Sequence, residues 1–178
     1  MDAIQHTCTI AAAGTNDLAD YRKVAIQTFA DAYQHKTDQE NFEKYIAESF
    51  SEEKLTTDLS DVNAVILLLR NEAQQVIGYA KLRCDRSTPF VPSDDAMELE
   101  RIYLLKEWWG GGLGARLLDY CEKYAAGKGF QWIWLCVWNE NDAAIRFYQR
   151  QGWEPCGEKD FQFGDEIHKD PIFRKRIG

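Results

Sequence analysis

The chain is expected to fold as a three-layer α/β (α+β) unit around a mixed, mostly antiparallel sheet, with one strand–glycine turn–helix–strand segment at its centre. Three observations predict this. An apolar stripe of helical spacing fills the first third, β-rich apolar runs replace it after residue 63, and the cluster Gly110-Gly111-Gly112-Leu113-Gly114 separates a strand pattern from a helix pattern.

Taken in order, Leu18, Tyr21, Val24, Ala25, Thr28 and Phe29 recur at helical spacing behind the cap-like Thr15-Asn16-Asp17. Thr37 with Glu40 three residues on reads as a capping box for a second helix, with Phe42, Tyr45, Ile46 and Phe50 as its stripe. A short third helix is expected over 51–59. Runs 64–69 and 76–82 flank the turn-like Asn71-Glu72-Ala73-Gln74 and predict an antiparallel hairpin. Residues 86–95, with two prolines, read as a loop, and 97–105 as a strand. Leu113, Leu117, Leu118, Cys121, Tyr124 and Ala125 form the buried stripe of the next helix, which ends at Gly127 and Gly129. The unbroken run 132–137 fits a strand covered on both faces. Asn141 then caps a short helix carrying Ala144, Phe147 and Tyr148, and strands near 153–163 and 171–177 complete the sheet.

The length of 178 residues predicts one domain, 1–178. With 45% apolar and 28% charged residues the chain is not disordered, and it is long enough for a core that needs neither disulfide nor metal. The longest apolar run is seven residues, 132–138, too short to span a membrane. Met1-Asp2-Ala3-Ile4-Gln5-His6 resembles no signal or transit peptide, so a cytoplasmic location is expected. Net charge is −8, which argues against nucleic acid as the main partner. Residues 1–100 carry nine Lys/Arg against eighteen Asp/Glu, whereas 101–178 carry twelve against eleven. An anionic ligand therefore favours the second half and a cationic substrate the first, unless the acidity serves only solubility. Five cysteines (Cys8, Cys84, Cys121, Cys136, Cys156) in no CxxC spacing give neither a disulfide framework nor a zinc ribbon. His6, His35 and His168 are scattered in polar stretches, so no metal site and no Cys–His nucleophile is expected.

Chemistry is expected first at the glycine cluster. A strand feeding a glycine turn and a helix leaves backbone N–H groups pointing outward at the positive end of the helix dipole, a site for phosphate. No Gly-Lys-Ser/Thr follows, which excludes a Walker loop. Gly110-x-Gly112-x-x-Ala115 fits a loosened dinucleotide fingerprint in part, leaving an NAD-linked oxidoreductase as an alternative. Glu98 and Glu100 lie on the strand entering the turn and, at period two, share a face with Ile102 and Leu104. Either is a candidate general base or an ordinary exposed strand residue. Tyr148 is a candidate acid or a packed core tyrosine.

These features, in this order, resemble the GNAT superfamily of acetyl-CoA-dependent N-acetyltransferases over roughly 15–177. The match is carried by Glu98-Leu99-Glu100-Arg101-Ile102-Tyr103-Leu104, Trp109-Gly110-Gly111-Gly112-Leu113-Gly114-Ala115, Trp134-Leu135-Cys136-Val137-Trp138 and Asn141-Asp142-Ala143-Ala144-Ile145-Arg146-Phe147-Tyr148. The resemblance implies that the backbone of Ile102, Tyr103 and Leu104 pairs with the pantetheine arm. It implies too that the amides of Gly110, Gly111, Gly112, Leu113, Gly114 and Ala115 hold the pyrophosphate, that Asn141 contacts CoA, and that Tyr148 protonates the thiolate. No metal is implied, and members of the family often pair as homodimers. The family's turn usually begins with Arg or Gln, where this chain has Trp109. CoA binding is expected to persist on backbone amides, with Arg116 supplying charge.

More narrowly, the chain resembles the bacterial PaiA-type spermidine/spermine N-acetyltransferases through Thr28-Phe29 to Tyr33, Glu40-Asn41 to Tyr45, Ile77-Gly78-Tyr79 and Phe161-x-Phe163-Gly164-Asp165-Glu166. Where that tail normally continues Gln-Thr-Asp, this chain reads His168-Lys169-Asp170. The implied reaction is direct attack of a primary amine, a polyamine for preference, on acetyl-CoA, with Glu98 or Glu100 as base. An acidic face including Asp165, Glu166 and Asp170 would attract the amine. A CoA-binding regulator without turnover is the alternative from another class.

Overall fold

The structure, a computed structural model, describes residues 7–36, 38–163 and 166–178, without the side chains of Ser93, Phe163 and Glu166. The expectations placed on residues 1–6, Thr37, Gly164, Asp165 and the Glu166 side chain lie outside the described residues.

Helix α1 (Leu18–Tyr33) follows a single 3₁₀ turn, Thr15–Asp17, whose Asp17 carboxylate accepts the Gly14 N–H at 2.8 Å. Its buried stripe is Tyr21, Val24, Ala25, Thr28 and Phe29, and the Thr28 hydroxyl bonds back to the Val24 carbonyl at 2.8 Å. Helix α2 (Gln39–Ser49) is capped by Asp38, whose Oδ1 accepts the N–H groups of Glu40 at 2.9 Å and Asn41 at 3.2 Å. The cap is thus one residue later than the capping box placed it. Ser51 caps α3 (Glu52–Ser60) through the Lys54 N–H.

The strands are β1 (Thr9–Ala12), β2 (Ala64–Arg70), β3 (Val76–Arg83), β4 (Ala96–Leu104), β5 (Trp132–Cys136), β6 (Glu154–Phe163) and β7 (Glu166–Arg176). They form one sheet in the order β1-β2-β3-β4-β5-β7-β6, antiparallel throughout except for β4 and β5. A parallel neighbour needs a crossover, and helix α4 (Leu113–Gly127) supplies it. Helix α5 (Asp142–Arg150) lies between β5 and β6 in sequence. Strand β1 has no sequence signal: it is an edge strand of four residues, mostly exposed, held by pairing with β2. Strand β7 begins earlier than expected and carries Pro171 inside it. The Pro171 carbonyl accepts from Val137, so its nitrogen faces the end of β5 and costs the β6 ladder nothing.

Both faces of the sheet are covered. On one, Tyr21, Val24, Phe29, Phe42, Phe50 and Leu55 pack on Ile66, Leu68 and Tyr79. On the other, Leu117, Leu118, Cys121, Ala125 and Tyr148 pack on Leu67, Ala80, Leu82, Met97, Leu99, Ile133 and Leu135. This explains why β2 and β5 read as unbroken apolar runs: successive residues feed opposite cores. Gly78 allows β3 to approach β4 closely, since a Cβ there would lie 2.7 Å from the Tyr103 carbonyl and strike the Leu104 side chain. Gly78→Ala is expected to cost about 1–3 kcal/mol by overpacking, measured as a lowered urea midpoint at unchanged slope.

Candidate active site

Strands β4 and β5 pair over only three positions, Ala96↔Trp132, Met97↔Ile133 and Glu98↔Trp134, and then part. From Leu99 onward β4 pairs with β3 alone. The Leu105 N–H bonds to the Ile77 carbonyl, and Leu104 stands opposite Gly78. By the antiparallel alternation, Ile102 and Leu104 turn their amides and carbonyls toward the gap, whereas those of Tyr103 are spent on β3. Of the three residues expected to offer backbone to a pantetheine arm, Ile102 and Leu104 are therefore placed to do so and Tyr103 is not. The Leu104 carbonyl already accepts the Trp109 indole N–H at 3.0 Å, which leaves its amide.

A β-bulge separates the pairs Lys81↔Arg101 and Leu82↔Leu99, inserting Glu100 without a partner. The bulge corrects the expectation that Glu98, Glu100, Ile102 and Leu104 share a face. Met97, Leu99, Ile102 and Leu104 contribute to the core under α4 and α5, while Glu100, Arg101 and Tyr103 lie on the α1–α3 side. The two glutamates differ in surroundings. Glu100 is ion-paired with Lys81 at 3.0 Å, with Arg83 and Arg101 each at 3.9 Å. Glu98 is 8% exposed and has no ion pair among the described residues. Its burial, then the nearby Glu100 charge, push its carboxyl above the usual range, against the pull of Lys159, Arg86 and Arg83.

At the end of β4, a 3₁₀ turn (Lys106–Trp108) leads into the glycine cluster. Gly110 and Gly112 have φ of 80° and 78°, and no atom lies within 4 Å of a Cβ built on either. Backbone conformation, with open space above it, is what demands glycine at these two places. The first amide of this stretch to find a backbone partner is that of Arg116, on the Gly112 carbonyl at 3.1 Å. The amides of Gly110, Gly111, Gly112, Leu113, Gly114 and Ala115 have no hydrogen bond among the described residues, so six donors stand at the N-terminus of α4. The Arg116 guanidinium donates to the Cys8 carbonyl at 2.6 Å, which fixes the side chain and leaves its charge in place. Trp109, 56% exposed, braces the turn through its indole bond.

Asn141 caps α5, accepting the Ala144 N–H at 3.1 Å, which leaves its amide NH₂ free to donate. Tyr148 packs against Phe147, Trp153 and Phe173. Burial foremost, then Tyr103 and Cys121, hold its hydroxyl well above the ordinary tyrosine value, so it carries its proton at neutral pH. Cys136 is no nucleophile either: burial and Asp170 push its thiol up to about 12. Among the described residues no group of three or more His, Cys, Asp or Glu could hold a metal, and no helix is long and apolar enough to cross a membrane.

Several residues around the gap make side-chain contacts that their motifs did not specify. The Tyr33 hydroxyl lies 3.4 Å from that of Tyr103. Arg101 stacks on Phe50 at 4.6 Å and donates to the Tyr45 hydroxyl at 3.4 Å. Asp170, expected on an open acidic face, is instead 4% exposed and accepts the Asn139 N–H at 3.0 Å. Tyr33, Tyr45, Arg101, Tyr103 and Asp170 stood in the family motifs or on the expected acidic face, but nothing in the sequence specified these side-chain contacts.

A gap between parallel strands with donors facing it, leading to unpartnered amides at a helix N-terminus, suits an extended ligand ending in a pyrophosphate. The Acetyltransferase (GNAT) family model matches residues 22–153. The chain is 29% identical over 165 residues to an uncharacterized N-acetyltransferase from the pepI 3′ region of Lactobacillus delbrueckii subsp. lactis, covering 90% of this chain and 92% of that one. It is 30% identical over 141 residues to a spermidine N(1)-acetyltransferase of Thermoplasma acidophilum, covering 78% and 83%. The crystal structure of the PaiA N-acetyltransferase from Thermoplasma acidophilum in complex with coenzyme A superimposes with a TM-score of 0.74 at 25% identity, covering 96% of this chain and 99% of that one. The chain belongs to the GNAT acetyltransferase family. It is an acetyl-CoA-dependent N-acetyltransferase, and the NAD-linked alternative is set aside.

Proposed function

We propose that this acetyltransferase acts on a primary amine, with a polyamine such as spermidine or spermine as acceptor, by direct attack on the thioester. The observation that carries the reading is Glu98, a buried carboxyl with a raised pKa and no ion pair among the described residues, at the point where β4 and β5 part. An ammonium has no lone pair, so a base must take its proton before attack, and a carboxyl poised upward does so best. Glu98 serves better than Glu100, whose charge is engaged by Lys81. The amine nitrogen then bonds to the acetyl carbon, the Ile102 amide, nearer Glu98 along β4 than that of Leu104, holds the developing oxyanion, and the carbon–sulfur bond breaks. Tyr148 gives its proton to the departing thiolate. Ile102 and Leu104 align the pantetheine arm, while Gly110 to Ala115 grip the pyrophosphate, with Asn141 beside them. The polyamine choice is supported by the spermidine-acetylating relative and by the nine-against-eighteen excess of acid over base in residues 1–100.

The test is release of free thiol from acetyl-CoA across an amine panel. Spermidine and spermine are expected to give the highest kcat/KM, above simple alkylamines and peptide N-termini. If no amine raises thiol release above background hydrolysis, the reading fails and a CoA-binding regulator takes its place.

A further inference from the structure

Trp138, just beyond β5, is half-buried and sits where three elements meet on the Glu98 side of the sheet. The Tyr33 ring of α1 lies 5.6 Å from it, and the His168 ring of β7 stands edge-on at 6.3 Å. The ammonium of Lys36, in the connection between α1 and α2, lies over the Trp138 ring at 4.7 Å from its centroid. The buried Asp170 carboxylate accepts the amide N–H of Asn139, the residue after Trp138, at 3.0 Å. The same Tyr33 reaches Tyr103 on β4, so this aromatic group adjoins the gap in which acetyl transfer is placed.

We infer that the Trp138 face, walled by Tyr33 and His168, is a subsite for a second, non-reacting ammonium of the acceptor, and that Lys36 fills it when no acceptor is bound. This deepens the proposed function and rests on it for the identity of the acceptor. The physical reason is general. The face of an indole is the negative end of its quadrupole and attracts a cation, more strongly where water is partly excluded. An ammonium already lies over this ring, so its geometry suits a cation. A side chain of this protein cannot be acetyl acceptor and occupant at once, whereas a di- or polyamine can place one nitrogen at Glu98 and another over Trp138. The Asp170 carboxylate, bonded to the amide of the next residue, Asn139, adds attraction for the same charge. The subsite therefore selects acceptors with two or more ammonium groups over monoamines of equal length.

The experiment compares 1,4-diaminobutane and spermidine with butylamine, which lacks the second charge, in steady-state kinetics and in calorimetric binding to the CoA-loaded protein. Trp138→Leu is expected to raise KM for the diamine and for spermidine about tenfold and leave butylamine unchanged. Lys36→Gln, at an exposed position that tests the idea without touching the core, is expected to lower KM for the same two amines severalfold, again without effect on butylamine. Trp138→Phe, a smaller aromatic, should fall between wild type and Trp138→Leu. Equal effects on butylamine and diamine, or effects of the same sign from the Trp138→Leu and Lys36→Gln changes, overturn the subsite. Acetylation of all three amines untouched by any variant keeps the proposed function and overturns the subsite. Trp138-dependent binding of the diamine without acetylation keeps the subsite and overturns the proposed function.

Discussion

Glu98→Gln is expected to lower kcat/KM for amine acetylation by about a hundredfold or more, the usual worth of a general base, while leaving acetyl-CoA affinity near wild type. The amide keeps the shape of the side chain but cannot accept the ammonium proton. The pH profile separates this from a merely structural effect. In the wild type, the base works only when ionised, and burial has raised its pKa, so activity falls as pH drops through that raised value. In Glu98→Gln this acidic limb is lost or displaced. Stability should move the other way. A carboxyl whose pKa is higher folded than unfolded destabilises the fold as pH rises through that interval, so at neutral pH Glu98 is a burden and Gln removes it. Loss of activity with an equal or higher Tm is therefore the expected pair of results. Glu100→Gln, by contrast, should disturb Lys81 and lower stability, with a smaller effect on rate. If Glu98→Gln retains full activity and an unchanged acidic limb, the base is elsewhere.

The largest expected stability effect lies under the same strand. Lys81 has a side chain 2% exposed and is held between Asp58 of α3 at 2.8 Å and Glu100 at 3.0 Å. Asp58→Ala removes one partner of a buried ammonium and is expected to cost about 3 kcal/mol, read from a denaturant melt. The double replacement Asp58→Ala with Lys81→Met should recover most of that loss, because the penalty comes from the stranded charge. Burial by itself would raise the Asp58 pKa, but hydrogen bonds from Lys54 and Lys81 outweigh it and hold the carboxyl below its ordinary value. Its contribution is thus fully present above the unfolded-state pKa of about 4 and is lost as pH falls through the lower folded value. Asp58→Ala should accordingly flatten the acid limb of the stability curve. The partly exposed Lys54 contact adds little to this.

Helices α1, α3, α4 and α5, strands β2 to β6, and the glycine turn were all legible in the chain, because each repeats a local rule. Apolar spacing sets the buried face, Ser51 and Asn141 cap, and glycine answers a positive φ. Strand β1 was not legible, since an exposed edge strand buries too little to imprint a pattern. Nor could the two glutamates be told apart: Glu98 and Glu100 are identical in kind and two residues apart. The α2 cap at Asp38 was missed by one residue because Thr37 and Asp38 are both capping residue types.

The order of residues by itself determined the elements, the glycine turn and the family resemblance, all of which depend on neighbours within about one helical turn or one strand. Only the tertiary structure decided which glutamate is paired, where the bulge turns the strand over, and that Lys36, Tyr33, Trp138 and His168 meet. Burial and charge at a side chain are set by groups remote in sequence. The bulge inserts one residue whose effect on facing is invisible to a period-two count until the partner strand is in place.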